Sequence, residues 1–241
     1  KYPSINPPLA VVMFIFFMFI VGSSMYFAMR GLRQLAPATQ TKKILRRVLL
    51  LFVIGVLLSA YPFTTSIENW RVMGVLQRIA IAYGFAAFII LYFGFTGRAL
   101  ISAALLVGYW VLLQFSIDPY SLEHNLVRQF DVAVLGANHL WQGKGIAFDP
   151  EGILSTFPSI VNVIIGFEAT RVLLASENKT TALSQLFVAS LLFIGAALVW
   201  NLWFPINKSL WTSSFVLLTC GVAILMLLLL VKLEQSAAAP A

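Results

Sequence analysis

Leu210–Lys232, LWTSSFVLLTCGVAILMLLLLVK, runs from Leu210 to Val231 without a charged side chain. At about 1.5 Å of rise per residue, a helix of that length crosses the roughly 30 Å of hydrocarbon in a bilayer. Working outward from it, six more apolar runs of similar length can be read: Leu9–Met29, Ile44–Tyr61, Val72–Gly94, Arg98–Ile117, Ile153–Ala175 and Ala182–Trp203. The expected fold is therefore all-α, a polytopic transmembrane helix bundle of about seven spans. Composition agrees, since 60% of the 241 residues are hydrophobic, only 10% are charged, and the mean hydropathy is +0.91. A particle of 26.7 kDa has too little interior to bury so much apolar surface in water, so lipid must supply the missing solvent.

Residues 1–232 read as a single transmembrane domain with a structured loop at 118–152, and 233–241 as a flexible, low-complexity tail. The loop is the longest connection, and Phe130, Val132, Val134, Leu135, Leu140, Trp141, Ile146 and Phe148 give it apolar surface with which to fold onto the bundle. If the spans alternate, ten of the sixteen basic residues fall on one side: Arg30, Arg33, Lys42, Lys43, Arg46, Arg47, Arg98, Arg171, Lys179 and Lys232. By the positive-inside rule that side is cytoplasmic, which puts the first residue outside and the last inside. A bacterial inner membrane is the expected location. Basic residues that flank spans explain the net charge of +7 through topology, and nucleic acid is not expected as a partner. A single cysteine, Cys220, excludes an internal disulfide framework and a Cys-based zinc cluster, and no metal site is expected.

Polar residues in or beside the spans carry the functional information, because a charge at mid-bilayer is costly. Read as helix, Arg71, Gly74 and Arg78 fall at i, i+3, i+7 along one stripe. Two guanidinium forks with a glycine between them suit a phosphorylated ligand, and they equally suit ion pairs with acids of the outer loop. Asp149, Pro150 and Glu151 precede the fifth span, where they fit an N-cap, a first helical position and a first-turn acid. The same carboxylates could hold a cationic acceptor or take a proton. Asn162 lies near the middle of the fifth span and should hydrogen-bond inside the bundle, while Glu168 and Arg171 should neutralise each other.

Asn207, Lys208 and Trp211 lie in a short connection before the seventh span, which opens with hydroxyl-bearing Thr212, Ser213 and Ser214. Lysine can hold a phosphate, tryptophan a flat ring and asparagine a carbonyl, although Trp and Lys also mark the headgroup level of any membrane protein. The two histidines, His124 and His139, both lie in the long loop and neither has a neighbour that makes a triad.

Three strings in order, RVMGVLQRIAIAY from Arg71, FDPEGILSTFPS from Phe148 and FPINKSLWTSSF from Phe204, resemble the heparan-alpha-glucosaminide N-acetyltransferase family and its bacterial relatives. FMFIVGSSMYFAM from Phe17 resembles an early span of the same family. The resemblance implies a membrane acyltransferase that moves an acetyl group from cytosolic acetyl-CoA, its co-substrate, to an amino sugar or glycan on the opposite face. It implies that Arg71, Gln77 and Arg78 shape the CoA site, that Asn207, Lys208, Trp211 and Ser213 line the same cavity, and that Asp149 and Glu151 border the acceptor. It also implies a catalytic histidine upstream of the first span, and with it either a chain truncated at both ends or a divergent branch of the family. His139 is then the candidate base within this chain. Two other readings stand beside this one, a transporter or lipid-binding membrane protein and a non-catalytic part of the acyltransferase fold. A homo-oligomer is left open.

Overall fold

The computed structural model describes residues 7–238, with side chains over residues 16–237. Seven long helices form where the seven apolar runs lie: α1 (Pro7–Leu32), α2 (Pro37–Ala60), α3 (Val75–Tyr92), α4 (Phe95–Leu113), α6 (Ile153–Ala175), α7 (Lys179–Trp200) and α8 (Ser213–Ala238). A shorter helix, α5 (Leu126–Leu135), sits in the long loop and is followed there by a single 3-10 turn, Ala137–His139; another such turn, Ile67–Asn69, lies between α2 and α3. Among the described residues there is no strand.

The expected number of spans needs correction. Among the described residues five helices, α3, α4, α6, α7 and α8, are long and apolar enough to cross a bilayer. In α1 the described side chains cover only the shorter stretch Phe16–Leu32. The charge of Lys42, Lys43, Arg46 and Arg47 fills the first half of α2 and leaves too short an uncharged stretch behind it. At the other end of the chain, α8 runs past Lys232 to Ala238, so most of the expected tail is helical. The rest of that tail, 239–241, lies outside the described residues.

Local sequence explains where the helices begin. Pro37 occupies the first position of α2, where its missing N–H costs nothing. Asn125 and Asn178 cap α5 and α7, their side chains accepting the backbone N–H of Arg128 at 2.8 Å and of Thr181 at 3.2 Å. At the basic end, the Lys179 ammonium reaches back to the Leu173 carbonyl at 2.9 Å, satisfying one of the orphan carbonyls of α6. Arg33 similarly donates to Ile90 O from the end of α1, so the C-terminal ends of α1 and α3 lie together.

Helix α6 is the axis of the bundle. Some 67% of its apolar stretch is buried, against 22% for α4 and for α7, and it packs on α1, α3, α4, α7 and α8. Its crossing with α1 is made by a reciprocal pair of glycines. A Cβ on Gly22 would stand 1.9 Å from the Val163 carbonyl oxygen, and one on Gly166 would stand 2.1 Å from that of Phe19. Small residues at such a crossing let backbones approach in lipid, where association rests on van der Waals packing rather than on expelling water. Large apolar side chains left exposed on the spanning helices, such as Leu100, Leu192 and Leu230, suit contact with lipid.

Gly166→Val should therefore wedge α1 from α6 and destabilise by at least about 1–3 kcal/mol, the usual range for overpacking. Gly195→Ala, where nothing lies within 4 Å of the added Cβ, should be neutral or stabilise by up to about 1 kcal/mol. Thermal unfolding in detergent distinguishes the two, and equal midpoints would reject the close crossing.

Candidate functional site

The segment Arg71–Gly74 is not helical, and α3 begins only at Val75, with Gly74 in extended backbone as its N-cap. The helical stripe expected for Arg71, Gly74 and Arg78 is thus absent. Long-range bonds hold the segment: Val72 N donates to His139 O at 3.2 Å, and His139 Nδ1 donates to Trp70 O at 2.7 Å. Both arginines nevertheless converge on one strip of chain, residues 149–155, from different directions.

Arg71 forks onto Asp149, its Nε and Nη2 donating to Oδ2 and Oδ1 at 2.8 and 2.7 Å, and Nη2 also reaches Glu151 Oε2 at 2.7 Å. Asp149 is fully buried. Burial disfavours the charge on Arg71, but the hydrogen bond and charge of Asp149, with Glu151 behind it, outweigh that and hold its pKa above the ordinary arginine value. The expected capping role of Asp149, Pro150 and Glu151 is also corrected, because α6 starts at Ile153 with Gly152 as its N-cap. Asp149 Oδ1 instead accepts the Glu151 N–H at 3.0 Å in a tight local turn. The N–H of Ile153 is taken from another element, by Asp131 Oδ1 of α5 at 3.0 Å.

Arg78 has no exposure at all. Its Nη2 donates to Pro150 O at 2.6 Å and to Ser155 Oγ, and its guanidinium lies 4.5 Å from the centroid of the Trp211 ring. Trp211 is buried and stands at φ 52°, a left-handed conformation that costs a bulky residue about 1–3 kcal/mol. It is fixed by its indole N–H, which donates to Asn162 Oδ1 at 3.0 Å. Asn162 Nδ2 in turn donates to Thr219 Oγ1 and Cys220 Sγ, the interhelical bonding expected of a mid-span amide.

The remaining expected residues divide into groups. Asn207 Oδ1 accepts the N–H of Ser209 at 2.8 Å and shapes the connection before α8, while Ser213 Oγ donates to Leu106 O at 2.7 Å and ties α8 to α4. Lys208 is half-buried in that connection, its carbonyl accepting the Trp211 N–H at 3.2 Å. Gln77 is buried but turned toward α2, where its Oε1 would lie 2.6 Å from a Cβ on Gly55, so it does not join Arg78. His139 is half-buried, and its Nδ1–H is given to the Trp70 carbonyl. His124 is exposed on the loop. Glu168 is shared by Arg171, as expected, and by Arg98 from α4, at 2.6 and 2.5 Å.

Three participants went unread in the sequence. Ser155 receives Arg78, and Lys144 spans from the loop to Ser209 Oγ at 2.7 Å, its pKa lowered by burial against the opposing charge of Glu151. The third is Asp131, fully buried, whose Oδ2 has no hydrogen-bond partner among the described residues. Its signal was present: Val127 and Asp131, four apart on α5, are the buried pair of that helix, an acid at an inward position. Gly152 makes room for it, since a Cβ there would come within 1.8 Å of Oδ2. Arg78 Nε and Nη1 are likewise buried and without partners among the described residues.

A polytopic helical bundle with a caged arginine beneath a folded loop defines a membrane protein with a polar site enclosed at one end. A family model described as heparan-alpha-glucosaminide N-acetyltransferase, catalytic, matches residues 8–205, and the chain belongs to this family. It is 26% identical over 280 residues to heparan-alpha-glucosaminide N-acetyltransferase of Mus musculus, covering 92% of this chain and 43% of the mouse protein. Against the protein of that name from Homo sapiens the identity is again 26%, over 92% of this chain and 42% of the human one. The chain spans less than half the length of these curated relatives.

Burial pushes the Asp131 carboxyl up to about 7; the Ile153 N–H and Arg78 oppose the shift, and Asp149 adds to it. Between about pH 4, the ordinary aspartate value, and pH 7 the folded protein holds a proton that the unfolded chain releases. Stability from this group is therefore complete below about pH 4 and is lost as pH rises through 7. Asp131→Asn should abolish that slope, so that wild type loses stability relative to the variant from pH 4 to 8. Thermal midpoints of the pair across this range test it, and a constant difference would reject it.

Proposed function

We propose that this chain forms the membrane-embedded core of an acyltransferase. It takes an acetyl group from acetyl-CoA supplied on the basic side of the bundle, which faces the cytoplasm of a bacterial inner membrane. The acceptor is an amino sugar or glycan on the loop side. Family membership supports the reaction class, and the basic residues at one end of the bundle support the orientation.

The single observation that carries the reading is the incomplete cage around Arg78. A guanidinium sealed from water, with one nitrogen fixed and Nε–H and Nη1–H unused, is unfavourable until an anionic or carbonyl oxygen occupies the remaining fork. Acetyl-CoA supplies both kinds of oxygen, on its phosphates and on its activated thioester. Arg78 holds such an oxygen in a fixed direction, and a preorganised donor in a dry site stabilises charge that develops there. Trp211 keeps the guanidinium plane in place, and Asn207 and Ser213 act by holding the connection and the start of α8 that carry Trp211. Lys208 adds positive charge at the same connection. Asp149 and Glu151 share the single charge of Arg71, keep one net negative charge between them and border the acceptor. Within this chain His139 Nε2 is our candidate proton acceptor: as the acceptor amine or hydroxyl attacks the thioester carbonyl its proton passes to the imidazole, the new N–C or O–C bond replaces the C–S bond, and CoA leaves as the thiol on taking that proton.

Calorimetric titration of CoA and acetyl-CoA into the protein in detergent should show saturable binding. Arg78→Ala should weaken it by about ten- to a hundredfold, the worth of a hydrogen bond to a charged group. In turnover the same variant should raise KM for acetyl-CoA far more than KM for the sugar. Equal binding by a folded variant would sink the role of Arg78.

A further inference from the structure

A second polar constellation lies away from the Arg78 cluster, in a cavity of about 540 Å3 between α4, α6, α7 and α8. None of the residues around Arg78 lines it. Its walls are apolar over most of their extent, with Ala189, Phe193, Leu217 and Ile224 among them, and its polar groups include Arg98 and Glu168.

Arg98 is only 6% exposed and its guanidinium is held at three points. Nε donates to Glu168 at 2.5 Å, Nη1 to Phe93 O at 2.6 Å, and the plane lies 5.5 Å from the Phe167 ring. Nη2 has no hydrogen-bond partner among the described residues. One turn along α4, Ser102 also lines the cavity, and its hydroxyl is shielded from water with no partner among the described residues. Two unused donors thus stand one helical turn apart on one wall. Glu168 has an arginine on each carboxylate oxygen, so the group retains one net positive charge.

We propose that this cavity holds one acyl chain of an anionic phospholipid, with head-group oxygens on Arg98 Nη2 and Ser102 Oγ. Charge and placement select this occupant. Arg98 lies in the first turn of α4, at the end of the bundle where basic residues collect, the position at which basic pockets between spanning helices take anionic head groups. The walls beyond Ser102, toward Leu106, Val161 and Leu217, are apolar, as a hydrocarbon chain requires. The outer walls, α4 and α7, are mostly exposed to the bilayer, so a chain has only to move sideways out of the leaflet. This assignment does not depend on acyl transfer.

The test is native mass spectrometry of the full chain released from nanodiscs of equal parts dioleoyl phosphatidylglycerol and dioleoyl phosphatidylcholine. Wild type should retain phosphatidylglycerol in preference. Arg98→Gln should reduce that preference about tenfold, and Ser102→Val should reduce it less. Ala103→Phe, which fills the cavity from a position exposed to lipid, should lose the bound lipid while unfolding at the wild-type temperature. Because Arg98→Gln leaves Glu168 with one partner, the two milder variants keep the test valid if that protein fails to fold. Equal retention of the two lipids by wild type, or undiminished retention by folded Ala103→Phe, would overturn the proposal. Displacement of the bound lipid by palmitoyl-CoA at lower concentration than by added phosphatidylglycerol would overturn it too, assigning the cavity to an acyl-CoA.

Discussion

An arginine with no exposure in a spanning helix constrains everything around it. Leaving Arg78 unmatched would strand a fully buried charge, at the about 3 to 5 kcal/mol that breaking a buried ion pair costs. The structure matches it with a carbonyl at Pro150, a hydroxyl at Ser155 and the face of Trp211. Each partner needs a support of its own. Pro150 sits in a turn closed by Asp149, which Arg71 grips, and Trp211 accepts a left-handed backbone because Asn162 anchors its indole. One buried charge thereby ties together the segment before α3, the long loop, α6 and the start of α8.

That network is possible because α6 runs down the middle of the bundle. Its first turn carries Ser155, its centre carries Asn162 and its last turns carry Glu168 and Arg171, so both polar clusters share one rigid axis. The glycine crossing with α1 sets how closely the neighbouring helix can approach that axis. The two clusters differ in kind. The Arg71 and Arg78 cluster is roofed by loop and is built from carboxylates, carbonyls and an indole, whereas the Arg98 cluster opens on an apolar cavity between helices. An enclosed polar site suits a polar reactant, and a site bordered by hydrocarbon suits a lipid.

The spans were legible in the sequence because their cause is local. Apolar length decides whether a segment can satisfy its backbone in lipid, and for α6 the run Ile153–Ala175 gave both helix ends. The inward role of Asn162 and the pairing of Glu168 with Arg171 could be read for the same reason, since a polar residue in an apolar run needs a partner. Where charge interrupts the run, as in α2, length alone overstated the count of spans.

What only the tertiary structure decided are the contacts between residues far apart in the chain. Arg71 leaves the helix because His139, 68 positions later, fixes the backbone on either side of it, at Trp70 and Val72. The cap of α6 comes from Asp131 rather than Asp149, because a short amphipathic helix folds back over the helix start and presents a carboxylate there. Gln77 and Arg78 are adjacent in sequence, yet one helical step turns one toward α2 and the other toward Trp211. Sequence by itself determined which segments form long apolar helices and that their polar residues must find partners. The choice of partner required the packed bundle, because it depends on which helix faces which.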